Sequence, residues 1–192
     1  GCIAAHHKRH LKWEHPFLGH NIDGEYPVDA LIKELKENKM VGVASGRAEF
    51  GPRALGNRSL LADPRGEEIK DLVNGIKKRQ KFRPFAPAIL EEDVHEYFTL
   101  PTTVQNTPYM QFTAACTHGK DFPAIIHHDN TSRVQTVRKT DNPGFHALLT
   151  EWKKQTGCPI LLNTSLNIKG QPIVNDREDG KAFTNKYKVK VL

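Results

Sequence analysis

Apolar residues at Val28, Leu31, Ile32 and Leu35 recur at the spacing of one helix face. The same spacing returns at Ile69, Leu72, Val73 and Ile76, and again at Phe145, Leu148, Leu149 and Trp152, where Gly157 supplies a C-terminal stop. Between these periodic stretches lie short apolar runs too brief for helices. Met40–Ala44 and Pro159–Asn163 read as buried strands, and Phe82–Leu90 as an extended segment held by Pro84 and Pro87. Tyr109–Ala115, Ser132–Arg138 and Pro172–Val174 are further predicted strands. Glu91–Phe98 is a predicted short helix, and Asp176 can cap a last helix in which Gly180 is an unfavourable interior residue. The irregular alternation of strands and helices predicts an α/β open sheet.

Residues 1–25 are His-rich and lack a period, so they read as a tail or the remnant of an upstream domain; residues 26–192 form the expected domain. His6, His7 and His10 sit at helical spacing, where a frayed terminus competes with a metal-binding reading. The chain has 192 residues, enough for one domain with a substantial core. With 38% hydrophobic and 26% charged residues its composition is that of a soluble globular protein. No apolar run approaches the roughly 18–20 residues of a membrane-spanning helix. The three cysteines, Cys2, Cys116 and Cys158, are scattered, which argues for a reducing, cytoplasmic setting and against a zinc site.

A formal charge of +6 suits an anionic partner. The arginines gather around glycine- and proline-rich segments instead of forming a long basic run, which favours small phosphorylated ligands over nucleic acid. The densest segment is Gly46-Arg-Ala-Glu-Phe-Gly-Pro-Arg-Ala-Leu-Gly-Asn-Arg-Ser59. Glycines allow close backbone approach to a ligand, and guanidinium forks match phosphate and carboxylate oxygens. Plain turns would also account for the glycines, but Glu49 cannot pair Arg47, Arg53 and Arg58 together. No Gly-Lys-Ser/Thr follows, so this is not a P-loop.

Three further clusters carry chemistry. In Lys77-Lys-Arg-Gln-Lys-Phe-Arg83-Pro-Phe-Ala-Pro87, a helix end accounts for Lys77 and Lys78, whereas Arg83 falls in an apolar segment where a lone charge is costly. His127-His-Asp-Asn-Thr-Ser-Arg-Val-Gln135 offers polar groups for phosphate or ribose, or simply ties a loop. Leu161-Leu-Asn-Thr-Ser-Leu-Asn167 ends a strand in hydroxyl and amide groups, a common ligand position in open sheets, though an Asx or Ser turn is the simpler account. Ser165 has no neighbouring His and reads as a binding group rather than a nucleophile.

These four segments, in this order, resemble the C-terminal domain of the nodulation and antibiotic-tailoring O-carbamoyltransferases, over about residues 40–175. The pattern is GR-E-GPRALG-RS, then K-R with RPFAP, then HD-T-R-QTV, then LLNTS-N with G-PIV. Asn130 stands where the family often has Gly, and Leu166 where Phe is common. The resemblance implies a YrdC/Sua5-like fold, a twisted open mixed sheet with flanking helices and a concave basic cleft. It implies an enzyme that binds ATP with Mg²⁺ and carbamoyl phosphate and makes carbamoyl adenylate. A Kae1-like N-terminal domain would then pass the carbamoyl group to an acceptor hydroxyl; Gly1–Ala5 could be its last remnant. By the same resemblance Lys77, Arg83 and Arg53 meet anionic oxygens, and Ser165 and Asn167 meet nucleotide or acyl groups. Arg47, Arg79, His128, Asp129, Thr131 and Arg133 are further binding candidates. Two rival readings stay open: a threonylcarbamoyl-adenylate synthase of the same fold, and a nucleotide- or RNA-binding module without turnover.

Overall fold

The computed structural model describes residues 5–10, 14–80 and 82–192. Cys2 and most of the Gly1–Ala5 segment lie outside them, as does Lys81.

The centre is a five-stranded mixed sheet in the order β2-β4-β10-β5-β9, formed by β2 (Met40–Ala44), β4 (Arg58–Ala62), β5 (Ala86–Leu90), β9 (Gln135–Val137) and β10 (Ile160–Ser165). Every pairing is antiparallel except β5 with β9. Every residue of β2, β4 and β5 is buried, so these strands show no in/out alternation, and apart from Arg58 and Ser59 at the start of β4 they carry no polar side chain. Helices α1 (Val28–Asn38) and α4 (Pro143–Thr156) pack on each other and on this sheet. Leu31, Ile32 and Leu35 of α1 and Phe145, Leu148, Leu149 and Trp152 of α4 face the core, as their spacing predicts. The Asn142 side chain caps α4 by accepting from the Phe145 N–H, and Gly157 ends it at φ 72°. The last helix, α5 (Arg177–Tyr187), is capped by Asp176, which accepts from the Glu178 and Asp179 N–H groups. Gly180 has a packing reason: a Cβ there would lie 3.2 Å from Val191, whose segment runs alongside β2.

Two small sheets complete the described fold: β1 (Phe17–Ile22) with β3 (Gly46–Glu49), and β6 (Phe98–Thr99), β7 (Thr113–Cys116) and β8 (Thr131–Arg133), with the short helix α3 (Val94–Tyr97) leading into β6. Strand β1 corrects the expectation of an irregular stretch over residues 1–25: it pairs antiparallel with the start of the Gly/Arg segment, setting Asn21 opposite Arg47. In α2 (Glu67–Lys77), Leu72 is 50% exposed although its spacing placed it with Ile69 and Val73; the helix turns Asn74 inward instead, to meet Arg79. Tyr109–Phe112 is not strand, because Met110 takes φ 57°. Pro172–Val174 joins no sheet; its Val174 N–H bonds once, to Leu166 O. Asn130 sits at φ 60°, a left-handed conformation that glycine and asparagine tolerate best.

Candidate functional site

The site assembles where α2 ends beside the end of β10. Lys77 is the last residue of α2. Its ammonium donates to Ser165 O at 2.7 Å, to Ser165 Oγ at 3.2 Å and to Asn167 Oδ1. Ser165 Oγ in turn donates to Asn167 Oδ1 at 2.8 Å. The helix-end explanation of Lys77 therefore gives way to a tertiary one, in which its side chain folds inward. Burial, with the nearby charge of Arg79, pulls its pKa down to about 8. Ser165 Oγ is held by Lys77 and the Asn167 amide, and no histidine or carboxylate bonds to it among the described residues.

Arg79 follows directly. Its Nε donates to Asn74 Oδ1 at 2.9 Å, its Nη2 to Pro84 O at 3.0 Å, and its guanidinium lies 3.8 Å from the Phe85 ring centroid. With Arg83, Arg133, Lys70, His127 and His128 it lines a cleft of about 640 Å³, walled by Phe82, Phe85 and Ile126. None of the lining residues is acidic. The consequence is visible in the arginines themselves. Arg79 is pulled down to about 10 by burial and by the charges of Arg83 and Arg133. Arg133 is lowered by burial and by Arg53 and Arg83, and its buried Nε has no hydrogen-bond partner. Cations that depress one another with no carboxylate among them make a place where an anion is favoured. Arg83 itself is exposed and precedes β5, which corrects its placement inside an apolar strand.

The Gly46–Ser59 segment divides into parts with different duties. Arg58 is fully buried and donates to the carbonyls of Ser45, Asn57, His20, Gly46 and Asn175 at 2.9–3.2 Å. It ties β1, β3 and the segment before α5 together and offers nothing to a ligand. Glu49 Oε1 accepts from the backbone N–H groups of Leu55 (2.7 Å), Asn57 (2.7 Å) and Arg58 (3.1 Å). Arg53 stands exposed on the loop between them, near enough for its charge to act on Arg133. Arg47 lies apart: its guanidinium reaches Gly19 O at 3.4 Å, and it lines a different pocket of about 370 Å³ with Tyr109 and Arg138.

In the histidine segment, Asp129 Oδ1 accepts from the Thr131 N–H (3.1 Å) and hydroxyl (2.7 Å), bonds that hold its pKa below the usual carboxylate range. Thr131 also meets His127 Nδ1 at 2.9 Å. Asp129 and Thr131 thus spend their hydrogen bonds on the loop, while His128 lines the cleft. Sequence reasoning missed the carboxamides beneath the Arg53 loop. Asn163 donates to Ala54 O (3.1 Å) and Gln135 Oε1 (2.6 Å), and Gln135 and Asn142 each donate to Leu55 O at 3.4 Å. An Asn inside a buried apolar strand was the available signal. Among the described residues no group of three or more His, Cys, Asp or Glu side chains is placed to hold a metal ion, and His6, His7 and His10 are exposed.

Residues 32–192 match the family model described as Carbamoyltransferase C-terminus, and the chain belongs to that family. It is 48% identical over 143 residues to nodulation protein NolO of Bradyrhizobium diazoefficiens, an overlap covering 73% of this chain and 26% of that protein. It is 40% identical over 155 residues to a 3'-hydroxymethylcephem-O-carbamoyltransferase of Amycolatopsis lactamdurans, covering 79% and 28%. The chain thus spans about a quarter of the length of these curated relatives. Among solved structures, full-length HypF in a phosphate- and nucleotide-bound form has the same fold, with a TM-score of 0.60 at 20% identity over 89% of this chain and 20% of that one. HypF of T. kodakarensis gives 0.57 at 21% identity over 91% and 21%. No helix among the described residues is long and apolar enough to cross a membrane.

Proposed function

We propose that this domain has the YrdC/Sua5-like form of its family and is the adenylate-forming part of an O-carbamoyltransferase, binding ATP and carbamoyl phosphate in the Arg79–Arg83–Arg133 cleft. The observation that carries the reading is the convergence of three arginines, with Lys77 alongside, on a cleft that no carboxylate lines. Such a site neutralises phosphate and carboxylate oxygens and needs no protein nucleophile, as adenylyl transfer requires. In the chemistry proposed, water cleaves carbamoyl phosphate to carbamate and phosphate. A carbamate oxygen then attacks the α-phosphorus of ATP, and the bond to pyrophosphate breaks. Arg83, Arg133 and Arg53 would hold the anionic oxygens. Lys77 would keep Ser165 and Asn167 aligned at the strand end and add its own charge. The donor set leaves Mg²⁺ to the nucleotide's phosphates, since the cleft is lined by cations and histidines.

Transfer to an acceptor hydroxyl belongs, in this reading, to a Kae1-like domain of the whole protein. A reducing, cytoplasmic setting suits the unpaired buried thiols of Cys116 and Cys158 among the described residues. The test is to incubate the chain with Mg²⁺, ATP and carbamoyl phosphate. Pyrophosphate release that depends on carbamoyl phosphate is the expected result. Release that depends on threonine and bicarbonate would replace this reading with a threonylcarbamoyl-adenylate synthase. Nucleotide binding without any release would leave a binding module.

A further inference from the structure

Arg53 is carried by a loop with no regular structure, yet its charge reaches Arg133. Something must fix the loop, and the bonding pattern shows where. Residues 54–58 are held on both edges of the backbone. The N–H groups of Leu55, Asn57 and Arg58 converge on Glu49 Oε1 at 2.7, 2.7 and 3.1 Å. The carbonyls go to side chains from elsewhere: Ala54 O to Asn163, Leu55 O to Gln135 and Asn142, and Gly56 O to the Tyr26 hydroxyl at 2.8 Å. The tip, Phe50 to Arg53, is exposed, and a Cβ on Gly51 would meet nothing within 4 Å. The loop is therefore rigid at one end and open at the tip that carries the guanidinium.

Glu49 does not reach this result by pairing with an arginine. The guanidinium N–H groups of Arg58 donate to carbonyls, and no ion pair between Glu49 and Arg53 is present among the described residues. Its carboxylate instead acts as an internal anion for a concave run of backbone N–H groups, the arrangement that such loops elsewhere offer to a bound anion. Because that run is already filled from within the protein, residues 54–58 are held in place without a ligand.

We propose that Glu49 is a positioning residue, fixing residues 54–58, the base of the loop from which Arg53 meets the ligand's anionic oxygens beside Arg133. The inference rests on the reading of the cleft as the carbamoyl phosphate site. Glu49 touches no substrate, and its effect passes through Arg53 alone.

The experiment is a double-mutant cycle on the whole chain, read as carbamoyl phosphate affinity by calorimetry with far-ultraviolet circular dichroism as the fold control. Glu49→Ala is expected to weaken binding about tenfold, the loss of one charge-assisted contact, and Arg53→Ala by a similar factor. The double variant should bind no more weakly than Arg53→Ala. Glu49→Gln, which keeps an acceptor oxygen for the N–H groups, should restore binding to within about threefold of wild type. If Glu49→Ala does not fold, Glu49→Asp serves in its place, because it withdraws the acceptor by one methylene and keeps the charge. Losses that multiply in the double variant, or a Glu49→Gln as weak as Glu49→Ala, would overturn the proposal while leaving the site reading intact. A wild-type chain that does not bind carbamoyl phosphate overturns the site reading and this inference with it.

Discussion

Arg58 and Arg133 are the same residue type in two opposite settings. Arg58 is fully buried, and carbonyl oxygens take the bonds of its guanidinium. Arg133 is half-buried among Arg53, Arg79 and Arg83, with an Nε that has no partner. A buried cation must be solvated by the protein itself, so the arginine whose donors are filled is part of the scaffold. The arginine whose donors are left over, beside other cations, is in a place prepared for something outside the protein. Counting arginines in a motif does not separate the two cases; following each N–H does.

The contrast breaks most visibly at Arg58. Arg58→Met should destabilise the fold by on the order of 4 kcal/mol, since several buried carbonyls lose their donor at roughly 1–3 kcal/mol each and the losses are not additive. Urea denaturation measures it, and a change below about 1 kcal/mol would show that water replaces the guanidinium at little cost. At the cleft the signs exchange. Arg83→Ala should leave the urea midpoint nearly unchanged and weaken ATP or carbamoyl phosphate binding by roughly 1.5–3 kcal/mol, the range for hydrogen bonds to charged groups. Unchanged affinity in a folded variant would make Arg83 a surface residue only.

The smallest effect sharpens the comparison by pH. Lys77 has a folded pKa of about 8 against an ordinary 10.5, lowered by burial first and Arg79 second. Below pH 8 both folded and unfolded chains carry the proton. Between 8 and 10.5 the unfolded chain binds the proton more, so this group makes stability rise with pH across that window. Anion affinity should move the other way, falling as pH passes 8 and Lys77 loses its charge. A ligand affinity that stays flat through this range in a protein that remains folded would exclude Lys77 from the binding charge.

Much of this was legible in the chain, and the reason differs by element. Helices α1 and α4 follow from their apolar spacing because a helix's burial pattern is local. The Asp176 cap and the Gly157 stop are likewise decided within a few residues. Strand β1 was not legible: only Ile22 of Phe17–Ile22 is buried, and the strand gains its structure from pairing with β3. Leu72 misled because α2 buries Asn74 in order to hold Arg79, a choice that one helix's periodicity does not encode.

The sequence by itself determined the main helices and central strands and, through the order of four motifs, the family. The tertiary structure alone decided which charged residues hold the fold and which face the cleft. The physical reason is that the cost of a buried charge is settled by its partners, and those partners come from distant parts of the chain. Asn175 receives Arg58, Ser165 and Asn167 receive Lys77, and Asn163 and Gln135 brace the loop that presents Arg53.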